Sequence, residues 1–403
     1  MRHVMGLDEF SKICKRQLDA YLKKVECEIK CGNIKYAGKK INRAYYPTTL
    51  LCVESDDNVL SFELLGLSHV RKSLKIKKRD NVPLYHLTQM GKDENVMKPY
   101  FSVSDRNVFS ELSFGDTEAR NLLKGAGHVI ADNYPAGLTS EQASYLVSFD
   151  DESKSCLVSK SVLAYVSNRI LRVRYIYNLA MFSVRLSEVE LTDRLGYFIG
   201  REVVFGVQFF SDEKYLSWVK ASHLINLVLN DQIHETTIGD YINDHPDILL
   251  DALGYKGFVY EPNLEWIEKT DDNPDLYINP DALLEREDGC YDICDLKKGL
   301  VKKKNVTKGE RRRRRFIDGV GEGLAQLDNY EEYFTYPLNA KHALEKYGVR
   351  VNFPKKILIV GNHENTNSIE VAQALRGRTD TIVIDYDSLI SSYVGKLNNS
   401  SMV

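Results

Sequence analysis

The sequence predicts an α/β protein in two parts: a mixed α+β region over residues 1–225 and an α/β layer structure over 226–403. Three observations lead there. After residue 256, short apolar runs of strand character alternate with stretches of helical periodicity, the order of a sheet with helices on its faces. The turn signal Glu287-Asp288-Gly289 separates an apolar run from an alternating one, so two of those strands form an antiparallel hairpin. At 403 residues the chain is long enough for two or three separate cores.

The elements follow in order. Helical periodicity over 7–23 opens the chain, and strands are expected at 24–31, 49–55, 59–64 and 73–77. Polar loops fall at 91–95, 132–137 and 150–154. Residues 159–182 fit either one helix or a helix followed by a strand. In 213–231, Tyr215, Trp218, Val219, Leu224, Leu227 and Val228 recur near helical spacing and predict a helix leading into the second part. Thr237-x-x-Asp240 has capping-box character, and the short helix it would start ends near His245-Pro246. Beyond it come a strand at 257–260, the hairpin at 281–297, a basic loop, a helix at 318–334, a strand at 356–360, a helix at 369–376 and a strand at 381–384.

Composition narrows the function classes. Hydrophobic residues make up 43% and charged residues 28%, as in an ordinary soluble domain. A net charge of −3 excludes a chain that binds nucleic acid through overall positive charge, so any basic surface is local. No run of about 18 apolar residues occurs, so no membrane span is expected. The charged N-terminus does not read as a secretory leader, and seven scattered cysteines fit a reducing cytoplasm. Cys27-x-x-x-Cys31 and Cys290-x-x-x-Cys294 lack a second pair at zinc spacing and are expected to be small buried thiols.

The hairpin carries the chemistry. With Glu287-Asp288-Gly289 as a three-residue loop, Arg286 faces Cys290, and counting back sets Asp281 opposite Asp295. Directly opposed side chains lie roughly 5 Å apart, and two carboxylates that close call for a cation between them. Lys297, two residues beyond Asp295, points to the same face. Pro274-Asp275 offers an alternative first acid; the register favours Asp281. Hard carboxylate oxygens suit Mg²⁺, with Mn²⁺ as a substitute. Such an ion stabilises charge on a phosphodiester, and a neighbouring lysine positions a water or offsets the developing charge.

Further along, the predicted helix at 318–334 carries Gln326-x-x-x-Tyr330. Pro280-Asp281, the Asp-Gly turn, Tyr291-Asp292-Ile293-Cys294-Asp295-Leu296-Lys297-Lys298, an arginine run and Ala325-Gln326-Leu327-Asp328-Asn329-Tyr330 together resemble the nuclease domain of the Shedu antiphage defence family, within the PD-(D/E)xK superfamily. The resemblance covers about residues 235–393. It implies a restriction-endonuclease-like core and a cytoplasmic, metal-dependent DNA endonuclease of bacterial antiphage defence. It also implies a homo-oligomer, dimer or tetramer, whose N-terminal domain senses a trigger or restrains the nuclease. By the same resemblance Asp281 and Asp295 are metal ligands, Lys297 acts on the water, and Gln326 orients the lysine or the water from the flanking helix. An upstream helix supplies a further acid in these nucleases, and Glu235 matches that place; a helix-start carboxylate favouring the dipole is the alternative reading. The family often has Glu where this chain has Asp295. A catalytically silent DNA-binding module and an RNA-directed nuclease are the rival readings.

Nine cations crowd into fourteen residues: Lys302, Lys303, Lys304, Lys308, Arg311, Arg312, Arg313, Arg314 and Arg315. Placed between Lys297 and the Gln326 helix, they are expected to contact the DNA backbone without reading sequence. Arg71, Lys72, Lys75, Lys77, Lys78 and Arg79 form a second, weaker basic cluster. Gly319-x-Gly321-x-Gly323 follows no strand and does not read as a nucleotide fingerprint, and no Gly-x-x-x-x-Gly-Lys-Ser/Thr motif occurs. His363 lacks the second histidine of a zinc motif.

Overall fold

The computed structural model describes residues 4–36, 38–41, 43–91, 98–101, 103–126, 128, 134–137, 139–140, 154–167, 170–202, 204–210, 213–270, 274–310 and 313–399. The chain divides into two units, Met1–Leu227 and Val228–Val403. The predicted boundary lies two residues earlier, inside the same helix.

The first unit opens with α1 (Leu7–Lys30). Its buried stripe runs on through Leu18, Leu22, Val25 and Ile29, so the strand expected at 24–31 is the end of this helix. Cys27 and Cys31, expected inside, are exposed on its outer side. Next come β1 (Thr49–Ser55), β2 (Val59–Leu65), β3 (Lys75–Val82), β4 (Arg106–Ser110), α2 (Thr117–Gly125), and two long strands, β5 (Ser155–Ser167) and β6 (Ile170–Ser183). These six pair in the order β3-β1-β2-β6-β5-β4, and Ser113–Phe114 adds a short seventh strand beside β5. The helix expected within 159–182 is therefore absent. From Arg172 to Ser183 every residue of β6 is buried, so no apolar/polar alternation marks it as a strand. Two helices complete this unit: α3 (Glu188–Arg201), started by a Ser187/Glu190 capping box, and α4 (Glu213–Val228). Phe10, Phe62, Phe182, Phe198 and Phe205 lie in its core, where α1 and α3 meet the sheet.

The second unit begins with α5 (Glu235–Asp244) and α6 (Asp247–Leu253). Helix α5 starts two residues before the expected capping box, with His234 at the N-cap; Thr237 is buried within its first turn and caps nothing. Then follow β7 (Gly257–Tyr260), β8 (Ala282–Glu285), β9 (Tyr291–Leu296), α7 (Asp318–Thr335), α8 (Pro337–Tyr347), β10 (Lys356–Ile359), α9 (Ser368–Ala374), β11 (Thr381–Ile384) and α10 (Tyr386–Asn399). One five-stranded sheet runs β7-β8-β9-β10-β11. Strands β7, β8 and β9 pair antiparallel, and β9, β10 and β11 pair parallel. Helix α7 packs on β9 and β10, where Val320, Leu324 and Leu327 join Leu283, Ile293 and Leu358 in one apolar core. This is the general α/β class. Helices α6, α8 and α10 are absent from the expected order, although α8 carries a proline in its first turn and Gly348 at its C-cap.

Asp292 shows how β9 is tied down. It is 1% exposed, on the strand face opposite Asp295. It accepts hydrogen bonds from Tyr255 Oη (2.6 Å), Lys355 N (2.9 Å) and Arg286 Nη1 (3.2 Å). Removing one member of such a buried charged network leaves the others unpaired, so Asp292→Ala is expected to cost about 3 kcal/mol. A urea midpoint unchanged from the wild type would show that the network contributes nothing. Among the described residues, no helix is long and apolar enough to cross a membrane.

Candidate active site

The loop Glu287-Asp288-Gly289 closes the β8–β9 hairpin with Gly289 in the left-handed conformation, φ +77°. Asp288 Oδ1 accepts from Cys290 N at 2.9 Å, and Arg286 N donates to Cys290 O at 2.8 Å. Pairing then runs Glu285 with Tyr291, Leu284 with Asp292, Leu283 with Ile293 and Ala282 with Cys294. One step further brings Asp281 opposite Asp295, the register the three-residue loop requires. The backbone ladder between β8 and β9 ends there, and the Asp281 side chain takes over: its Oδ2 accepts from Leu296 N at 2.6 Å. Because β8 is antiparallel to β9, the start of β8 and the end of β9 meet at one sheet edge. That edge is also the C-terminal edge of the parallel strands, where open α/β sheets place their ligands.

Lys297, just past β9, returns toward the acids. Its Nζ lies 2.8 Å from Asp295 Oδ2 in an ion pair, without the alignment of a hydrogen bond, so that buried oxygen keeps lone-pair capacity. Burial pushes the Asp281 carboxyl up to about 7, and the charge of Asp295 adds to it; the Leu296 N–H and Lys297 act the other way. Asp295 is also raised, first by burial, with Lys297 opposing. Lys297 is raised although burial works against it, because Asp295, Asp281 and Glu235 surround it with negative charge. Two acids that cannot comfortably ionise together, beside a lysine that stays charged, form an anionic site short of one further cation.

Glu235, the first residue of α5, acts on the charge of Asp281, Asp295 and Lys297. Among the described residues, no group of three or more His, Cys, Asp or Glu side chains is placed to hold a metal together. Mg²⁺ is commonly held by one or two carboxylates with waters completing its shell, so the Asp281–Asp295 pair is a sufficient donor set by itself. Asp275 is exposed, with Oδ2 accepting from Asn329 Nδ2 at 3.2 Å. It is Asp281 that lies in the hairpin register with Asp295.

Helix α7 covers this edge. A Cβ built on Gly323 would meet Lys297 Cε at 3.2 Å and Leu358 Cδ1 at 3.0 Å, so the missing side chain makes room for the lysine stem. Gly323→Ala is expected to leave the melting temperature nearly unchanged, since better helix propensity (about 1 kcal/mol) offsets the crowding, while displacing Lys297. Activity at this site should fall about tenfold for a few tenths of an ångström of misplacement, and wild-type activity in a folded Gly323→Ala chain would sink this account of the glycine. Three residues on, Gln326 lies on the same helix face and is exposed. Four further, half-buried Tyr330 donates from Oη to Asn279 O at 3.3 Å. Burial raises the Tyr330 hydroxyl and the charges of Asp295 and Asp281 raise it further, which places the ring beside the acid pair.

Tyr386 escaped the sequence reading altogether. Fully buried, it donates from Oη to Lys297 O at 2.7 Å. The Lys297 amide in turn donates to Ile359 O at 2.8 Å, so the backbone behind the lysine is fixed at both ends. Tyr386 lies 89 residues after Lys297, and no local pattern announces the contact.

The basic segment is more ordered than a solvated run. Thr307–Lys308 pairs antiparallel with Arg315–Phe316. Several of its cations are engaged within the unit, among them Lys302 with Asp231, Lys308 with Asp318, and Arg314 Nη2 with Glu370 Oε1 at 2.7 Å. Lys303, Lys304, Arg313 and Arg315 have exposed side chains. Arg311 and Arg312 lie outside the described residues. In the first unit, part of the second basic cluster is also engaged, Arg71 with Glu26 and Lys78 with Asp8.

What fold and site define together is an α/β protein bearing an acid–acid–lysine constellation at the C-terminal edge of its parallel strands. No protein-family model matches the sequence, and no curated protein matches it.

Proposed function

We propose that the second unit is a metal-dependent phosphodiester hydrolase with a PD-(D/E)xK-type core, acting on DNA as an endonuclease. The observation that carries this reading is Asp281 opposite Asp295 at one sheet edge, with half-buried Lys297 paired to buried Asp295 at 2.8 Å. Asp281 and Asp295 would hold the ion, and Glu235 adds negative potential or a water-mediated contact. When bound, Mg²⁺ (or Mn²⁺) lowers the cost of charge on the phosphate and on an attacking water. Lys297 keeps its proton and so acts by charge and hydrogen bonding: it orients a water or offsets negative charge on the phosphate oxygens. Gln326, exposed on the face of α7 between Gly323 and Tyr330, would contact the lysine, the water or the substrate.

DNA is the substrate that the basic segment favours. Contacts from Arg313 and Arg315 to phosphates would be independent of sequence and weakened by salt. Replacing both by Ala should weaken binding of unrelated duplexes alike and reduce the salt slope of log K by about one for each phosphate no longer neutralised. A slope equal to that of the wild type would remove these residues from the interface. Antiphage defence, cytoplasmic location and assembly as a homo-oligomer, dimer or tetramer, extend the proposal through the Shedu resemblance; so does a sensing or restraining role for the first unit. The test is cleavage of linear and circular DNA with Mg²⁺ and with EDTA. Cutting that needs the ion supports the reading, and a chain that binds DNA but cuts no DNA or RNA under either condition supports the silent module.

A further inference from the structure

A cavity of about 120 Å³ opens between residues 228–238 and residues 298–303. Val228, Ile233 and Ile238 form a buried apolar floor. Leu300 and Val301 wall it, Lys298, Lys302, Lys303 and Asp231 also line it, and the surface they present to the cavity is almost wholly apolar. Lys302 is paired with Asp231, and Lys298 lines the same cavity.

The wall is preformed. Leu300 holds φ +50°, a left-handed conformation that side chains other than Gly rarely adopt. A Cβ on Gly299 would come within 2.7 Å of Val228 O, so only a glycine lets the two backbones approach this closely. Asn362 Nδ2 donates to Gly299 O at 2.7 Å and Asn365 Nδ2 to Leu300 O at 2.9 Å, which fixes the strained segment from behind. Strain held by its surroundings is a mark of ligand clamps and switches. The same two segments carry the site: Lys298 follows Lys297, and Ile238 lies one helical turn from Glu235.

We propose that this cavity binds a small amphiphilic anion, an apolar body ending in carboxylate or phosphate with roughly eight to twelve non-hydrogen atoms to fill the space, and that its occupancy regulates the neighbouring acid pair. The regulatory half rests on the proposed metal site. The apolar floor suits hydrocarbon, while a nucleobase would leave its polar edges without partners. The lysines suit the anionic head. The wall of the cavity continues from Lys297 and its floor shares helix α5 with Glu235, so an occupant that holds these two segments in place favours a divalent cation at the acid pair.

Calorimetry on the full chain tests both halves, with octanoate as the probe and 1-octanol and thymidine 5′-monophosphate as comparators. Octanoate should bind with a Kd on the order of 0.1–1 mM, about tenfold more tightly than either comparator. Val301→Trp fills the cavity from a half-exposed turn and should weaken octanoate about tenfold. Lys298→Gln should weaken it several-fold and flatten its salt dependence, which keeps the test decisive if the tryptophan variant does not fold. Octanoate that fails to bind, binds both variants as it binds the wild type, or ranks below the nucleotide overturns the ligand assignment. Saturating octanoate should tighten Mn²⁺ binding about threefold; an unchanged Mn²⁺ affinity overturns the regulatory half. If octanoate binds as described but Mn²⁺ does not bind at all, the metal site and its regulation fall together while the ligand site stands.

Discussion

Lys297→Ala is expected to lower the proposed Mg²⁺-dependent DNA cleavage by about 10³-fold, within the 10²–10⁴ range of a lost charge-stabilising or proton-handling group. The loss should appear in kcat. The ammonium lies 2.8 Å from Asp295 Oδ2 and competes with any other cation for the same carboxylate. Removing it therefore leaves divalent-ion binding intact or tightens it, because a nearby positive charge has gone. Asp295→Asn should do the reverse, weakening the metal response as well as the rate. The two variants thus separate a residue that acts on the reacting atoms from one that holds the ion. Folding is not the issue for Lys297→Ala, since the strand behind it is secured by the Tyr386 hydroxyl and the Ile359 carbonyl on its backbone, not on its side chain. A folded Lys297→Ala chain that cuts at the wild-type rate would remove the lysine from the chemistry.

The acid pair was legible because a hairpin is a local device. A Gly that closes the loop fixes the count of residues on each side, and the period of two then decides which side chains meet. The order of the five sheet strands after residue 256, with α7 and α9 between them, was legible for a similar reason, while α8 and α10 were not. Burial on both faces erased that signal in the first unit. Along β6 nearly every residue is inside, so the sequence shows an apolar run with arginines in it and no period. Arg172 and Arg174 are compatible with that interior because they are bonded there, Arg174 to Glu63 and to Leu87 O, and Arg172 to Met90 O. Those partners lie 82 to 111 residues away and leave no mark on the local sequence. Tyr386 is the same case in the second unit. Pairing of the basic run was hidden for a different reason: Asp231, Asp318 and Glu370 are ordinary surface acids until the fold brings them to Lys302, Lys308 and Arg314.

Stability of the second unit should depend on pH and on divalent ions together, and the sign is set by Asp281. Its carboxyl is pushed from 3.8 up to about 7 by burial and by Asp295, so the folded chain binds a proton that the unfolded chain has already released. Between those values the native state carries more protons than the unfolded state, and stability falls as pH rises. Across the whole window the loss is on the order of 4 kcal/mol at most. Mg²⁺ held by this pair would reverse the trend, because it needs both acids ionised and competes with the proton they hold. The ion should therefore raise the melting temperature strongly at pH 8 and scarcely at pH 5, measured against EDTA in each buffer. Asp281→Asn removes the penalty and the ion response together. Its amide oxygen can still accept from Leu296 N, so the hairpin edge stays closed, and without metal this variant should melt above the wild type at pH 8. Because Lys297 remains charged throughout, the change belongs to the carboxylates. Equal Mg²⁺ shifts at pH 5 and pH 8, or a full shift retained in Asp281→Asn, would mean that the ion stabilises the chain somewhere other than at this pair.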